Sequence, residues 1–109
     1  MTLVLVDAEN VRRSRWPNIG REELVYRVAA WADEHGHDPL IVFDGRAPEG
    51  AVGSGEETAD DWIARRAAEL AGRGEPYWLV TSDRGLRERA AAAADRVLGG
   101  GAFAGQLGR

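Results

Sequence analysis

The chain has 109 residues, a net charge of −4, no Cys and no Lys, so all 14 basic residues are Arg. That length suits one domain, read as residues 1–109, built on a single sheet-and-helix core. Without Cys there is no disulfide framework, thiolate nucleophile or Cys-based zinc site, and without Lys no Walker-type phosphate loop or Schiff-base chemistry.

Residues 2–6, Thr2-Leu3-Val4-Leu5-Val6, read as a strand buried on both faces and closing on Asp7. A loop is expected next, carrying Asn10, the cluster Arg12, Arg13 and Arg15, then Trp16 and Pro17. From Arg21 to Glu34, Leu24, Val28 and Trp31 recur at helical spacing, and His35-Gly36 ends the helix. The only other histidine, His37, stands beside that Gly, so both read as part of a helix end rather than as ligands. Pro39 opens a second strand, Leu40 to Phe43, which closes on Asp44-Gly45.

The Gly-, Pro- and Ala-rich stretch from Arg46 to Glu56 reads as a mobile loop. Thr58-x-x-Asp61 resembles a capping box and starts a helix whose inner stripe is Ile63, Ala67 and Leu70. Tyr77-Trp78-Leu79-Val80 is the third strand, Arg84 to Asp95 a third helix, and Val97-Leu98 a short fourth strand before a Gly-rich tail. Strands alternating with helices predict an α/β fold, a three-layer αβα sandwich around a parallel sheet. The longest apolar strands run four or five residues, too short to cross a membrane. The start, Met1-Thr2-Leu3, lacks the basic region of a secretion signal, so the cytoplasm is the expected compartment.

With few serines, none of them in a Gly-x-Ser-x-Gly elbow, the residues left to do chemistry are the acids. Asp7 follows the first strand, Asp60 and Asp61 open the middle helix, and Asp83 follows the third strand. Taken singly, each has a structural reading. Asp7 closes a turn, Asp60 and Asp61 meet a helix dipole worth about 0.3–1 kcal/mol, and Asp83 caps a helix. Taken together they converge, because the carboxyl ends of parallel strands line one edge of the sheet. Carboxylates gathered there repel one another, and an oxygen-only donor set favours Mg²⁺ or Mn²⁺ over zinc. The net negative charge counts against a nucleic-acid binder, but metal-bound acids are neutralised in the working state and the arginines are locally clustered.

The strings around these acids are similar to a known family. Val6-Asp7-Ala8-Glu9-Asn10-Val11 resembles the aspartate-x-x-asparagine opening of the NYN subgroup of PIN-like nucleases. Glu56-Glu57-Thr58-Ala59-Asp60-Asp61-Trp62-Ile63 and Val80-Thr81-Ser82-Asp83-Arg84 resemble the YacP-like bacterial ribonucleases of that group. The likeness runs from residue 3 to about residue 103. Leu86 and Arg87 stand where many relatives carry a further acid, the segment before Glu56 is shorter, and the C-terminal helix is expected to be missing.

This resemblance implies a PIN-like fold and metal-dependent, endonucleolytic cleavage of RNA in single-stranded regions. By it, Asp7, Asp60 and Asp83 would bind one or two Mg²⁺ or Mn²⁺ ions, and Asn10 would orient Asp7 or a water. Asp61 would be an additional acid, and Asp44 a weaker candidate at the same edge. Arg12, Arg13 and Arg84 would hold phosphates, whose geometry the guanidinium fork matches. Trp16 would stack an unpaired base or else pack on the neighbouring helix, and Trp62 would pack at the site's rim. The rival reading is a non-catalytic PIN-like module that binds RNA or a protein. A phosphatase is disfavoured by the absent Lys and by Glu9 where an Asp-x-Asp motif needs its second Asp. A homodimer, a protein inhibitor and the ribosome all stay open as partners.

Overall fold

Side chains alternate across each strand, and here the alternation sorts them onto two cores, one on each face of a sheet. The computed structural model describes residues 1–107, so the last two residues of the expected domain lie outside the described ones. The elements in chain order are β1 (Thr2–Asp7), α1 (Ala8–Arg13), α2 (Arg21–His35), β2 (His37–Phe43) and β3 (Val52–Gly53). They continue with α3 (Ala59–Gly72), β4 (Tyr77–Val80), α4 (Arg84–Ala90), β5 (Arg96–Leu98) and α5 (Gly100–Leu107). Val4, Val6, Ile41, Phe43 and Val80 face a core closed by α1, α2 and α5. Leu5, Val42, Tyr77 and Leu79 face the opposite core, closed by α3 and α4. The result is the expected three-layer PIN-like sandwich.

The sheet order is β3-β2-β1-β4-β5 and every pairing is parallel. β1 is therefore central, with Leu5 opposite both Leu40 and Leu79. After β1 the chain moves outward to β2 and β3, then crosses back through α3 to build β4 and β5 on the other side. That reversal opens a crevice beyond the carboxyl ends of β1 and β4, the place where open α/β sheets bind ligands.

Several elements depart from the sequence expectation. A helix, α1, starts directly after Asp7 where a loop was expected, and its buried Ala8 and Val11 fix it on the sheet. The stretch from Arg46 to Glu56, expected to be mobile, contains β3 and is tied down by Ser54. The Ser54 hydroxyl donates to Glu57 O at 2.6 Å and accepts from Gly45 N–H at 3.0 Å. A Cβ on Gly53 would stand 2.4 Å from Gly45 O, so that close approach requires glycine. His35 ends α2 as expected, ahead of Gly36 at φ 71°, but His37 opens β2 instead of belonging to the helix end.

The third helix stops at Ala90 rather than Asp95. The Tyr77 hydroxyl donates to Ala90 O at 2.7 Å and Asp95 N–H donates to Tyr77 O at 2.8 Å, so the turn into β5 overrides the helical preference of the Ala run. The Gly-rich tail expected after the last strand is instead a helix, α5. Its glycines are poor helix formers, but Phe103, Ala104 and Leu107 bury one stripe against α1 and α2. Phe103 is fully buried and meets Trp31 edge to face at 4.8 Å.

Phe103→Ala is expected to lower unfolding free energy by about 3–5 kcal/mol, the range for truncating a buried aromatic. Urea denaturation checks it; a loss under about 1 kcal/mol would mean that α5 is not part of the cooperative core.

Candidate functional site

Four aspartates, Asp7, Asp44, Asp60 and Asp83, line one open cleft of roughly 410 Å³ at the crevice beyond β1 and β4. Glu9, Asn10, Arg13, Ser14 and Ser82 complete its lining. Each acid is placed by a backbone feature of its own. Asp7 ends the central strand and is only 6% exposed. Its Oδ2 accepts from the hydroxyl of fully buried Thr81 at 2.8 Å. Thr81 Oγ1 in turn accepts from Asp83 N–H at 3.1 Å, so one side chain links the ends of both strands.

Asp83 caps α4, its Oδ1 accepting from Leu86 N–H at 2.9 Å. Asp44 Oδ1 accepts from Ala59 N–H at 2.7 Å and so holds the start of α3 against the cleft. Thr58 caps the same helix by accepting from Asp61 N–H at 3.0 Å. Asp60, in the first turn, reaches the cleft.

Crowding of these acids appears in their ionisation. Burial, with smaller contributions from Asp60 and Asp83, pushes the Asp7 carboxyl up to about 6, against opposing hydrogen bonds from Thr81 and the Asn10 backbone. Asp60 is raised first by burial, then by Asp83 and Asp44, while Arg89 opposes the shift. Among the described residues, none of the four cleft aspartates makes an ion pair. An all-oxygen set of unpaired carboxylates fits a hard divalent cation. As placed, no three such side chains among the described residues stand close enough to cage one ion, so joint ligation requires side-chain rotation into the cleft.

Other sequence candidates lie elsewhere. Asp61 faces away from the cleft and pairs with Arg89 at 2.8 Å, because adjacent helical residues point about 100° apart. Arg12 is committed to Glu9 at 2.7 Å and to Ile19 O at 2.8 Å, which makes it a brace and not a free phosphate ligand. Arg84 and Trp16 are exposed and stand outside the cleft lining. Trp62 packs against the core beneath α3 instead of at the rim. The Asn10 side chain does not reach for Asp7; its Oδ1 accepts from Ser82 N–H at 2.9 Å. A Cβ on Gly100 would approach that oxygen to 2.3 Å, so glycine there lets α5 seat against it. Arg13 does line the cleft, well exposed, with its Nε 3.3 Å from Glu9.

Three lining residues were not singled out as site candidates from sequence: Glu9, Ser14 and Ser82. Glu9 had a signal in its spacing, since Arg12 and Arg13 follow at the third and fourth positions of a helix. Ser82 precedes Asp83, and its hydroxyl accepts from Gly100 N–H at 2.8 Å, a contact across 18 residues that no local pattern announces.

No protein-family model matches the chain, and no curated protein matches it either. Two solved structures of Rae1 (YacP) from Bacillus subtilis share its fold. The W164L mutant aligns with a TM-score of 0.78 and 20% identity, covering 96% of this chain and 73% of that chain. The other aligns with a TM-score of 0.70 and 20% identity, covering 98% and 74% respectively. The fold is thus YacP-like, as the sequence motifs implied. Among the described residues, no helix is long and apolar enough to cross a membrane.

The raised Asp7 carboxyl has a consequence for stability. Unfolded, Asp7 titrates near 3.8; folded, near 6, so its ionised form opposes folding by about 3 kcal/mol once pH exceeds both values. The penalty vanishes below about pH 4, where both states are protonated. Asp7→Asn, which keeps an acceptor for Thr81, is therefore expected to be about 1–3 kcal/mol more stable than wild type near pH 8 in EDTA. That advantage should fade as pH falls through 6 toward 4; denaturation at several pH values measures it. A pH-independent difference would contradict the placement of Asp7.

Proposed function

We propose that this chain is a metal-dependent ribonuclease that cleaves RNA phosphodiesters, endonucleolytically and in single-stranded regions. The observation that carries the reading is the cleft at the reversal of the sheet. Acids from three separate elements, Asp7, Asp60 and Asp83, line it without cationic partners. The YacP-like fold supports it as well.

In this account Asp7, Asp60 and Asp83 hold one or two Mg²⁺ or Mn²⁺ ions, with Asp44 beside them. A divalent ion bound there would supply Lewis acidity toward a phosphodiester and its attacking water. The remaining work falls to the chain itself. Thr81 fixes the direction of Asp7 by donating to one oxygen of a carboxylate that lines the cleft. Asn10 and Ser82 hold the loop that carries Asp83 against α1 and α5. Arg13, well exposed at the cleft rim, binds a phosphate that flanks the scissile one. Burial of Asp7 strengthens its bond to Thr81 relative to open water.

A second reading, a non-catalytic PIN-like module that binds RNA or a protein, draws on one observation. The cleft carboxylates are not gathered into a three-ligand cage as placed.

A labelled unstructured RNA incubated with Mn²⁺, Mg²⁺ or EDTA separates the two. Cleavage is expected with either metal and not with EDTA. Asp7→Asn, Asp60→Asn and Asp83→Asn should each lose roughly 100-fold or more in rate, while Asp61→Asn stays within about twofold. RNA binding without cleavage in any metal would favour the second reading, and full activity in Asp7→Asn would remove the site assignment.

A further inference from the structure

The loop joining α1 to α2 holds a tryptophan out in solvent on a braced support. Ile19 N–H donates to Arg12 O at 3.1 Å, Arg12 Nε donates back to Ile19 O at 2.8 Å, and the Ile19 side chain is buried. Ser14 donates to Val11 O at 2.7 Å at the other end. Between these ties Trp16 is 91% exposed, whereas Trp31 is buried and Trp62 and Trp78 are half-buried. A lone exposed apolar side chain is ordinary on any protein surface. This one is different because its support is fixed and its surroundings are cationic.

Beside it runs a groove of roughly 510 Å³ between the loop and α5, lined by Arg15, Trp16, Pro17 and Asn18 together with residues of α2 and α5. Arg15 lies so close over α5 that a Cβ on Gly105 would meet its Nη2 at 2.8 Å. Among the described residues Arg15 makes no ion pair, while the one acid of the groove, Glu23, is paired with Arg27. Arg13 and Ser14, adjacent in the chain, line the acidic cleft. Cleft and groove are therefore joined along residues 13–16, a reach of at most about 10 Å.

We propose that this groove is a subsite for an unpaired nucleotide of the strand cut in the acidic cleft, its base stacked on Trp16 and its phosphate held by Arg15. The inference rests on the ribonuclease reading and adds a substrate constraint to it. An indole face accepts any base, but only one whose own face is free, so the subsite selects single strands over duplexes. The guanidinium of Arg15 supplies the fork that a phosphate matches. Apart from Pro17, the residues flanking the tryptophan are cationic or polar (Arg13, Ser14, Arg15 and Asn18), and two guanidinium groups beside an indole match a phosphate-bearing base better than a neutral surface.

Binding of a labelled, unstructured oligoribonucleotide and of a duplex, both in EDTA so that nothing is cut, tests the subsite. Trp16→Ala should weaken single-strand binding by about five- to 150-fold, Trp16→Phe should retain most of it, and Arg15→Ala should weaken both forms. Tyr26→Ala, which removes another exposed aromatic on α2, should change nothing, and thermal melting of all variants should match wild type. Single-strand affinity unchanged in Trp16→Ala overturns the proposal. Cleavage by the same preparations in Mn²⁺ keeps the two ideas apart. Cutting by wild type with Trp16→Ala indistinguishable from it removes the subsite alone. Trp16-dependent binding with no cutting removes the nuclease reading alone. A dimer that Trp16→Ala converts to monomer, with RNA affinity unaffected, would make the groove a contact between copies and also overturn the proposal.

Discussion

Asp7 is a carboxylate at the end of the central strand, buried almost completely and tied to Thr81 across the sheet. A charge in that position is unfavourable unless something stabilises it, and no cationic side chain among the described residues does so. Hydrogen bonds from Thr81 and the Asn10 backbone offset part of that cost, while Asp60 and Asp83 both press its ionisation upward. Such an arrangement weakens the fold in return for a site, a common trade at functional positions. Neutralisation by a proton or by a cation is the physical demand around which the cleft is built.

The rest of the architecture serves to hold the acids against their repulsion. The two cores lock β1 from both faces, and the sheet reversal between β1 and β4 brings the end of one strand beside the end of the other. Thr81 bridges those ends, Asp44 fixes the start of α3, and Asn10, Ser82 and Gly100 lash α1, the β4–α4 turn and α5 together. α5 thus acts on the site at a distance. It buries Phe103 in one core while its first residue accepts the position that Asn10 and Ser82 dictate.

Strand and helix periodicity made most of this legible. The apolar run ending at Asp7, the helical stripe of Leu24, Val28 and Trp31, and the strand ending at Val80 all stand where their spacing puts them. The gathering of Asp7, Asp60 and Asp83 on one edge followed from parallel topology alone. What stayed hidden depended on tertiary contacts. The glycines at 99, 100, 101 and 105 speak against a helix, and α5 exists because packing outweighs their propensity. Arg12 looked like a free cation, yet Glu9 and the Ile19 carbonyl occupy it. Asp61 was read as an additional acid beside Asp60, yet the helix rotation between neighbours directs Asp60 into the cleft and Asp61 toward Arg89.

In the proposed function a cation would neutralise carboxylates that the fold brings to one cleft, and nearby guanidinium and indole groups would hold RNA. Calorimetric titration of Mn²⁺ into the metal-free protein examines that claim without reference to catalysis. Saturable binding by wild type is expected, with marked weakening in Asp7→Asn, Asp60→Asn and Asp83→Asn and unchanged affinity in Asp61→Asn. No binding by wild type, or equal affinity across all five proteins, would contradict it.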